Sequence, residues 1–256
     1  MNAALRFIRE WYSIPLLLIV WQLSVSSGLV ASRLLPDLTT VVGALTTDLL
    51  NGVLIRHAGI TIGRSLAGFS MAVVIGIPLA AAMARSPLFS RLVEPSFFVG
   101  YPIPKIALFP IFTFIFGLGT PSKIAFTFLE CLYPIVITTY LGIRSIQANW
   151  IWTAQNAGAT RSQIFKRVLI PASLPSIVAG MRIALPIAIT IVVVTEMIGD
   201  SAGLGYYITS FSTRFRYANV YAGILVIGIC GFVLDYAIVL ARRKLVYWEG
   251  NDRSES

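Results

Sequence analysis

Residues 66–84 read LAGFSMAVVIGIPLAAAMA, a run without a single charged side chain. A helix of about 20 apolar residues spans the roughly 30 Å hydrocarbon core of a bilayer. A chain that repeats such runs has few soluble folds open to it. Comparable segments occur at about 14–31, 98–118, 124–143, 177–198 and 217–241. Charged residues make up only 12% of the 256 positions, against about 25% in a soluble domain, and the mean hydropathy is +0.81. The expected fold is all-α: a polytopic membrane bundle of about six transmembrane helices. It reads as a single transmembrane domain over 1–256, with no internal repeat and no low-complexity segment.

The third segment holds Pro102, Pro104, Lys105 and Pro110. It is expected to be kinked, tilted or partly re-entrant, because broken backbone at membrane depth survives only under protein or beside water. Arg6 and Arg9 precede the first apolar run, which ends near Val25, Ser26, Ser27 and Gly28. That arrangement mimics a cleaved secretory signal. The extension of the run to about Val30, and the spans after it, favour an uncleaved first helix.

The net charge is +9, but the basic residues fall mainly between apolar runs. That placement argues for membrane topology rather than for nucleic acid. With a cytoplasmic N-terminus, six of the 20 Lys and Arg residues lie outside (Arg33, Arg56, Arg64, Lys123, Arg214, Arg216) and the others inside. Both termini are therefore expected in the cytoplasm. Arg242, Arg243 and Lys244 should anchor the last helix at the inner surface. Lys105 is expected to snorkel to the interface, with attraction of an anion as the other reading. Tyr206 and Tyr207 are expected in an interfacial aromatic belt.

Catalytic patterns are scarce. The sequence has no GxxxxGK[ST] phosphate loop and no HExxH zinc motif. A GxSxG does occur at 199–203, but a nucleophile elbow needs a preceding strand and a histidine base. Here an apolar helix precedes it, and the only histidine is His57. Cys131 and Cys230 sit inside apolar runs and read as core residues. No catalytic residue, metal site or cofactor is expected, so any energy for transport must come from a partner.

The most unusual segment lies between the fourth and fifth apolar runs. Residues 156–176 read NAGATRSQIFKRVLIPASLPS. Residues 150–157 suit a short helix with Ala154 and Ala157 on one side, ended by Gly158. Thr160 and Gln163 have capping-box spacing, so a second helix should start there. Its apolar stripe is Ile164, Phe165, Val168 and Leu169, opposite Arg161, Ser162, Lys166 and Arg167. Pro171 is expected to stop it, and Pro175 to mark the start of the fifth span. Such an element is either a connector lying on the membrane surface or a docking element for a cytoplasmic partner.

This segment resembles the EAA loop of binding-protein-dependent ABC importer permeases: E-A-A, three residues, G, nine residues, I-x-L-P. Gly158 is followed by nine residues and then Val168-Leu169-Ile170-Pro171; the E-A-A positions hold Trp152, Thr153 and Ala154 instead. Other segments are similar to the family's core helices. They are His57 to Arg64 with Gly68-Phe69, Pro102 to Pro110 with Phe116-Gly117, Leu174-Pro175, Gly180-Met181-Arg182, Thr195 to Ile198, and Gly203-Leu204-Gly205-Tyr206. The last matches resemble the nitrate, sulfonate and taurine branch. The resemblance covers about residues 10–250.

The resemblance implies a type I importer permease fold, with a core at about 60–245 and a coupling loop at about 145–176. It implies a non-enzymatic permease subunit in the inner membrane, paired as a homodimer among lipid. Cytoplasmic ABC ATPase subunits and an extracytoplasmic substrate-binding protein are its implied partners. The implied coupling residues are Thr153, Ala154, Gln155, Ala157, Gly158, Ala159, Phe165 and Pro171. The implied cargo is a small sulfonate, nitrate or taurine-like anion, or a related small organic molecule. Intramembrane acids suggest a pathway or a structural pair. Glu130 is expected to line the pathway. Glu196 is expected either to shape the outer gate or to cap loop amides, and Asp235 to pair with a basic group. The competing class is a stand-alone secondary transporter or channel.

Overall fold

The computed structural model describes residues 12–31 and 33–246. Arg6, Arg9 and Arg253, which entered the charge count, lie outside them. Among the described residues the chain forms ten helical segments and no strand. These are α1 (Ser13–Ser26), α2 (Leu38–Leu50), α3 (Val53–Arg85), α4 (Pro87–Gly100), α5 (Phe109–Phe116), α6 (Thr120–Arg144), α7 (Ala148–Asn156), α8 (Arg161–Met197), α9 (Leu204–Ser212) and α10 (Tyr217–Leu245).

Four of them, α3, α6, α8 and α10, are long and apolar enough to cross a membrane, and the bent pair of α4 with Lys105–Phe116 makes a possible fifth. The helix α1 has 14 residues, short of the ~20 needed for a crossing. The described chain thus carries four or five crossings where about six were expected. The third segment is broken as its prolines predicted. A short turn at Lys105–Leu108 separates α4 from α5, and the two halves meet at 98°.

The core is the packing of α3, α6 and α8. Phe69 and Ala72 of α3 meet Cys131 and Ile135 of α6, and Val178, Ala184, Leu185 and Ala188 of α8. Lipid is as apolar as leucine, so membrane helices associate through close packing of small residues. Two contacts show this. A Cβ at Gly68 would lie 2.7 Å from Thr127 Cβ, and one at Gly180 would overlap Thr138 Oγ1. A second cluster joins Leu54 of α3 to Leu204, Tyr207 and Ile208 of α9 and to Ala222 and Val226 of α10. Outside the core, Trp21 of α1 donates to the Pro36 carbonyl at 2.9 Å and packs edge-on against Tyr221 of α10.

The helix α8 overturns one expectation. Pro171 does not stop it; helix continues from Arg161 to Met197. Residues Phe165–Leu169 form a π turn, closed by the Ile170 N–H bonding the Phe165 carbonyl. A proline inside a helix removes one N–H and crowds the carbonyl four residues back. The widened turn lies just where Pro171 would cause that conflict, so the segment before Pro171 and the span form one continuous helix.

Candidate functional site

Residues 154–164 have the local structure their sequence specifies. Gly158 adopts φ +79°, its N–H bonds the Gln155 carbonyl at 2.9 Å, and the Ala159 N–H reaches the Ala154 carbonyl at 3.0 Å. The Thr160 hydroxyl accepts from the Gln163 amide at 3.3 Å, while the Gln163 side chain accepts from the Thr160 amide at 2.8 Å. That completes the capping box. Ile164 is buried, whereas Arg161, Ser162, Lys166 and Arg167 are exposed.

Thr153, Gln155, Ala157 and Gly158 are exposed on α7 and its turn; Ala154, Ala159, Phe165 and Pro171 are partly covered. Trp150 and Trp152 are exposed at 54% and 59%. Residues 145–176 contain no Asp or Glu. The face is therefore basic, rich in small residues and marked by two free indoles. It is tied to the bundle at one further point, where the Arg85 guanidinium at the end of α3 lies 5.8 Å from the Phe165 ring centre.

At the other end of the bundle lies a buried ionic network. Arg64 Nη1 donates to Glu196 Oε1 at 2.9 Å, to Asp200 Oδ2 at 2.7 Å and to the Ala202 carbonyl at 3.2 Å. Its Nε and Nη2 both reach Thr120 Oγ1. Lys123 Nζ sits 3.0 Å from Asp200 Oδ2 and donates to the Leu118 carbonyl at 2.7 Å. Glu196 Oε2 accepts from Thr61 Oγ1 at 2.8 Å and from the Gly205 amide at 3.0 Å.

Two cations and two anions thus neutralise one another and tie α3, α6, α8 and the 198–203 turn. Charges buried this way persist only when paired and hydrogen-bonded. Burial pushes the Asp200 carboxyl up, but bonds from Lys123 and the Ser201 amide, with the charges of Lys123 and Arg64, outweigh it and hold the group below its usual range. Arg64 and Lys123 were counted as outer loop charges; both are buried members of this network. Beside it a cavity of about 290 Å³ is lined by Glu196, Asp200, Tyr206, Thr209 and Arg214.

Glu196 caps one backbone amide, that of Gly205 in the first turn of α9, alongside its bonds from Arg64 and Thr61. The 199–203 turn contains no nucleophile elbow: helix precedes it, and His57 Nδ1 accepts the Gly203 amide at 3.0 Å. Tyr207 does not lie in an aromatic belt. It is buried, its hydroxyl bonds Asp48, and Asn219 donates to the same carboxylate at 2.8 Å. Tyr206 is half-buried and lies against the His57 ring. A buried tyrosine hydroxyl needs a hydrogen-bond partner, and the partly covered Asp48 supplies it.

Lys105 also departs from expectation. It does not snorkel; it is 8% exposed. Its ammonium donates to the Tyr101 carbonyl at 3.2 Å, stands 4.4 Å from the Tyr133 ring centre and lies 3.8 Å from Glu130 Oε2. Breaking the α4–α5 helix frees carbonyls, and the ammonium satisfies those of Tyr101 and Ile103. Glu130 is therefore the counter-ion of a bend, partly covered. Asp235 pairs as expected, and its partner is Arg182. Glu130 and Glu196, both expected near the pathway, are not brought together; each belongs to its own ionic cluster.

The family described as "Binding-protein-dependent transport system inner membrane component" matches residues 72–247. The taurine transport system permease protein TauC of Escherichia coli K12 is 30% identical over 243 residues, spanning 93% of this chain and 88% of that protein. The formylaminopyrimidine transport permease protein ThiX of Halalkalibacterium halodurans is 32% identical over 233 residues, covering 91% and 92%. Among solved structures, an inward-facing MetNI methionine ABC transporter chain aligns with a TM-score of 0.67 at 20% identity, covering 75% of this chain and 95% of that one. That last likeness concerns the fold.

Proposed function

The chain belongs to the binding-protein-dependent transport system inner membrane components, and from that premise we propose that α7 and the 157–171 segment transmit the work of a cytoplasmic ATPase to a translocation pathway for a small organic or oxyanionic solute. As a permease component of an ABC importer, it is a multi-pass inner-membrane protein; ATP is hydrolysed by a separate subunit. Membership of a family of binding-protein-dependent system components argues against a stand-alone transporter.

The observation that carries the coupling role is the continuity of α8. The exposed, acid-free docking face and the longest core helix are one rod from Arg161 to Met197. A push on the exposed end therefore moves a helix whose other end holds Glu196 and the 198–203 turn. In this reading Thr153, Ala154, Gln155, Ala157, Gly158 and Ala159 form the contact, and Phe165 and Pro171 join it to the span. One permease domain acts as half of a homodimer among lipid, with both termini cytoplasmic and an extracytoplasmic binding protein delivering cargo. Taurine-like sulfonates and small pyrimidines are the cargo classes suggested by the relatives' names. Glu196 takes part as the anchor of the outer turn and Glu130 as the anchor of the bend.

The test is purification of the tagged chain from its own cells in gentle detergent, with mass spectrometry of what accompanies it. A stoichiometric ATPase bearing a phosphate loop is the expected result. A clean homo-oligomer without ATPase, under conditions that preserve a known ABC complex, would overturn the coupling role.

A further inference from the structure

Two charged side chains stand half-exposed inside the spanning bundle, apart from both ionic clusters described above. Arg182 on α8 and Asp235 on α10 form a bidentate pair, Nε to Oδ1 at 2.8 Å and Nη2 to Oδ2 at 3.0 Å. Their side chains are 46% and 33% exposed. Depth follows from a helical rise of about 1.5 Å per residue. Arg182 lies about 22 Å from the Met197 end of α8, and Asp235 about 27 Å from the Tyr217 end of α10. With 29 residues, α10 is about 43 Å long. A hydrocarbon core of about 30 Å centred on it leaves Asp235 roughly 10 Å inside the nearer boundary.

Charged groups at that depth face a bundle interior or water, not lipid. The backbone points the same way. Pro186 has no N–H to offer the Arg182 carbonyl, its partner four residues back, and a bare carbonyl is costly in hydrocarbon. The residues that share this exposed face of α8 are Ala179, Ile183, Pro186 and Thr190. They are mostly small or polar. The exposed face of α10 is instead mainly Ile224, Leu225, Ile229, Phe232, Val233 and Leu240, with Gly228, Tyr236 and Ala237 among them, for the most part bulky and apolar as a lipid-facing surface should be.

We infer that the Arg182 face of α8 lines the aqueous translocation pathway, and that Arg182 is the contact an anionic cargo meets there. This rests on the transport reading above. Both carboxylate oxygens of Asp235 are held by Arg182, whereas Arg182 Nη1 has no partner among the described residues. The pair therefore offers water a free guanidinium N–H beside a carboxylate whose charge Arg182 already neutralises. A planar guanidinium fork matches the oxygens of a sulfonate or carboxylate.

The test is thiol labelling of the full chain in its own membranes, without ATP. Cys230→Ala removes the partly exposed native thiol; Cys131 is buried. Single cysteines at Ile183, Thr190 and Phe232 are treated with anionic and with cationic methanethiosulfonates, which react only with a water-exposed thiol. The expected result is that Ile183→Cys and Thr190→Cys label at least about tenfold faster than Phe232→Cys. Rates equal to that of Phe232→Cys would overturn the pathway. So would disulfide cross-linking between two copies through Ile183→Cys without labelling, which would mark a protein seam.

For the charge, the anionic reagent at Ile183→Cys should slow several-fold when Arg182→Gln and Asp235→Asn are combined, while the cationic reagent does not. An unchanged ratio would remove Arg182 as the anion contact. If the double variant does not accumulate, the anionic-to-cationic rate ratio in the native background, divided by the same ratio for a free thiol in solution, reads the same charge: it should exceed one and fall with salt, and a normalised ratio of one or less would overturn the contact. Co-purification of the ATPase is read separately, so loss of the transport reading and loss of this one are distinct results.

Discussion

Replacement of Gly158 separates two things a glycine can do. Its φ of +79° is left-handed, where an L side chain costs about 1–2 kcal/mol. A Cβ there meets nothing within 4 Å inside the chain. Gly158→Ala therefore carries the backbone term alone, worth about five- to thirtyfold against the native turn. Gly158→Asn carries less of it, because Asn also closes helices in the left-handed conformation, but it adds bulk to the exposed face.

Neither variant has a clash to unfold it, so both should accumulate in the membrane and melt within a few degrees of the native chain. If the turn meets a partner's backbone closely, the bulk of Asn should abolish uptake and ATPase co-purification about as fully as Ala or more so. The assay is cargo uptake in cells, with membrane level and pull-down measured in parallel. Full uptake by Gly158→Asn beside impaired Gly158→Ala would reduce Gly158 to a backbone hinge and refute the close-approach argument. Full uptake by both would refute the coupling role of this turn.

Four further outcomes follow from the geometry. Gly205→Ala would drive a Cβ into the Val193 carbonyl and to 2.7 Å from Glu196 Cβ; it should lower the melting temperature sharply in detergent, while Gly63→Ala, with open space around it, should not. Glu196→Gln leaves Arg64 short of a buried partner and should cost about 3–5 kcal/mol, read as loss of folded protein by melting. Asp200 titrates below its ordinary range; its contribution is present above its unfolded pKa and lost as pH falls through the lower folded value. Melting temperature should therefore drop below about pH 4, less so in Asp200→Asn, and an identical pH profile for the two would count against the network. Thr160→Ala removes one half of the capping box and should cost about 1 kcal/mol, seen as faster amide exchange at Arg161, Ser162 and Gln163.

What could be read from the chain was local. Apolar runs of about 20 residues with at most one or two charges specify membrane helices whatever surrounds them. The prolines at 102, 104 and 110 specify a broken third segment, and Gly158 with Thr160 and Gln163 specifies a turn and a capping box from contacts at most five residues apart. The turn and helix start at 158–163 were legible for that reason. Helix α2, which is short and mixed in character, was not, nor was the continuity of α8 through Pro171, which depends on a π turn that no residue type announces.

The partners of the charged residues were beyond the sequence. Arg64 and Glu196 are separated by 132 positions, Lys105 and Glu130 by 25, Arg182 and Asp235 by 53. From composition, Lys105 was a snorkelling anchor and Arg64 a loop charge. Desolvation decided otherwise, because in a bundle a charge goes wherever an opposite charge and freed carbonyls can replace its water. The sequence by itself determined that this chain crosses a membrane and presents a basic, glycine-hinged face. Only the tertiary structure decided which charges lock the bundle and which pair is left facing the space between helices. That depends on how α3, α6, α8 and α10 pack, and such packing is set by contacts no local pattern records.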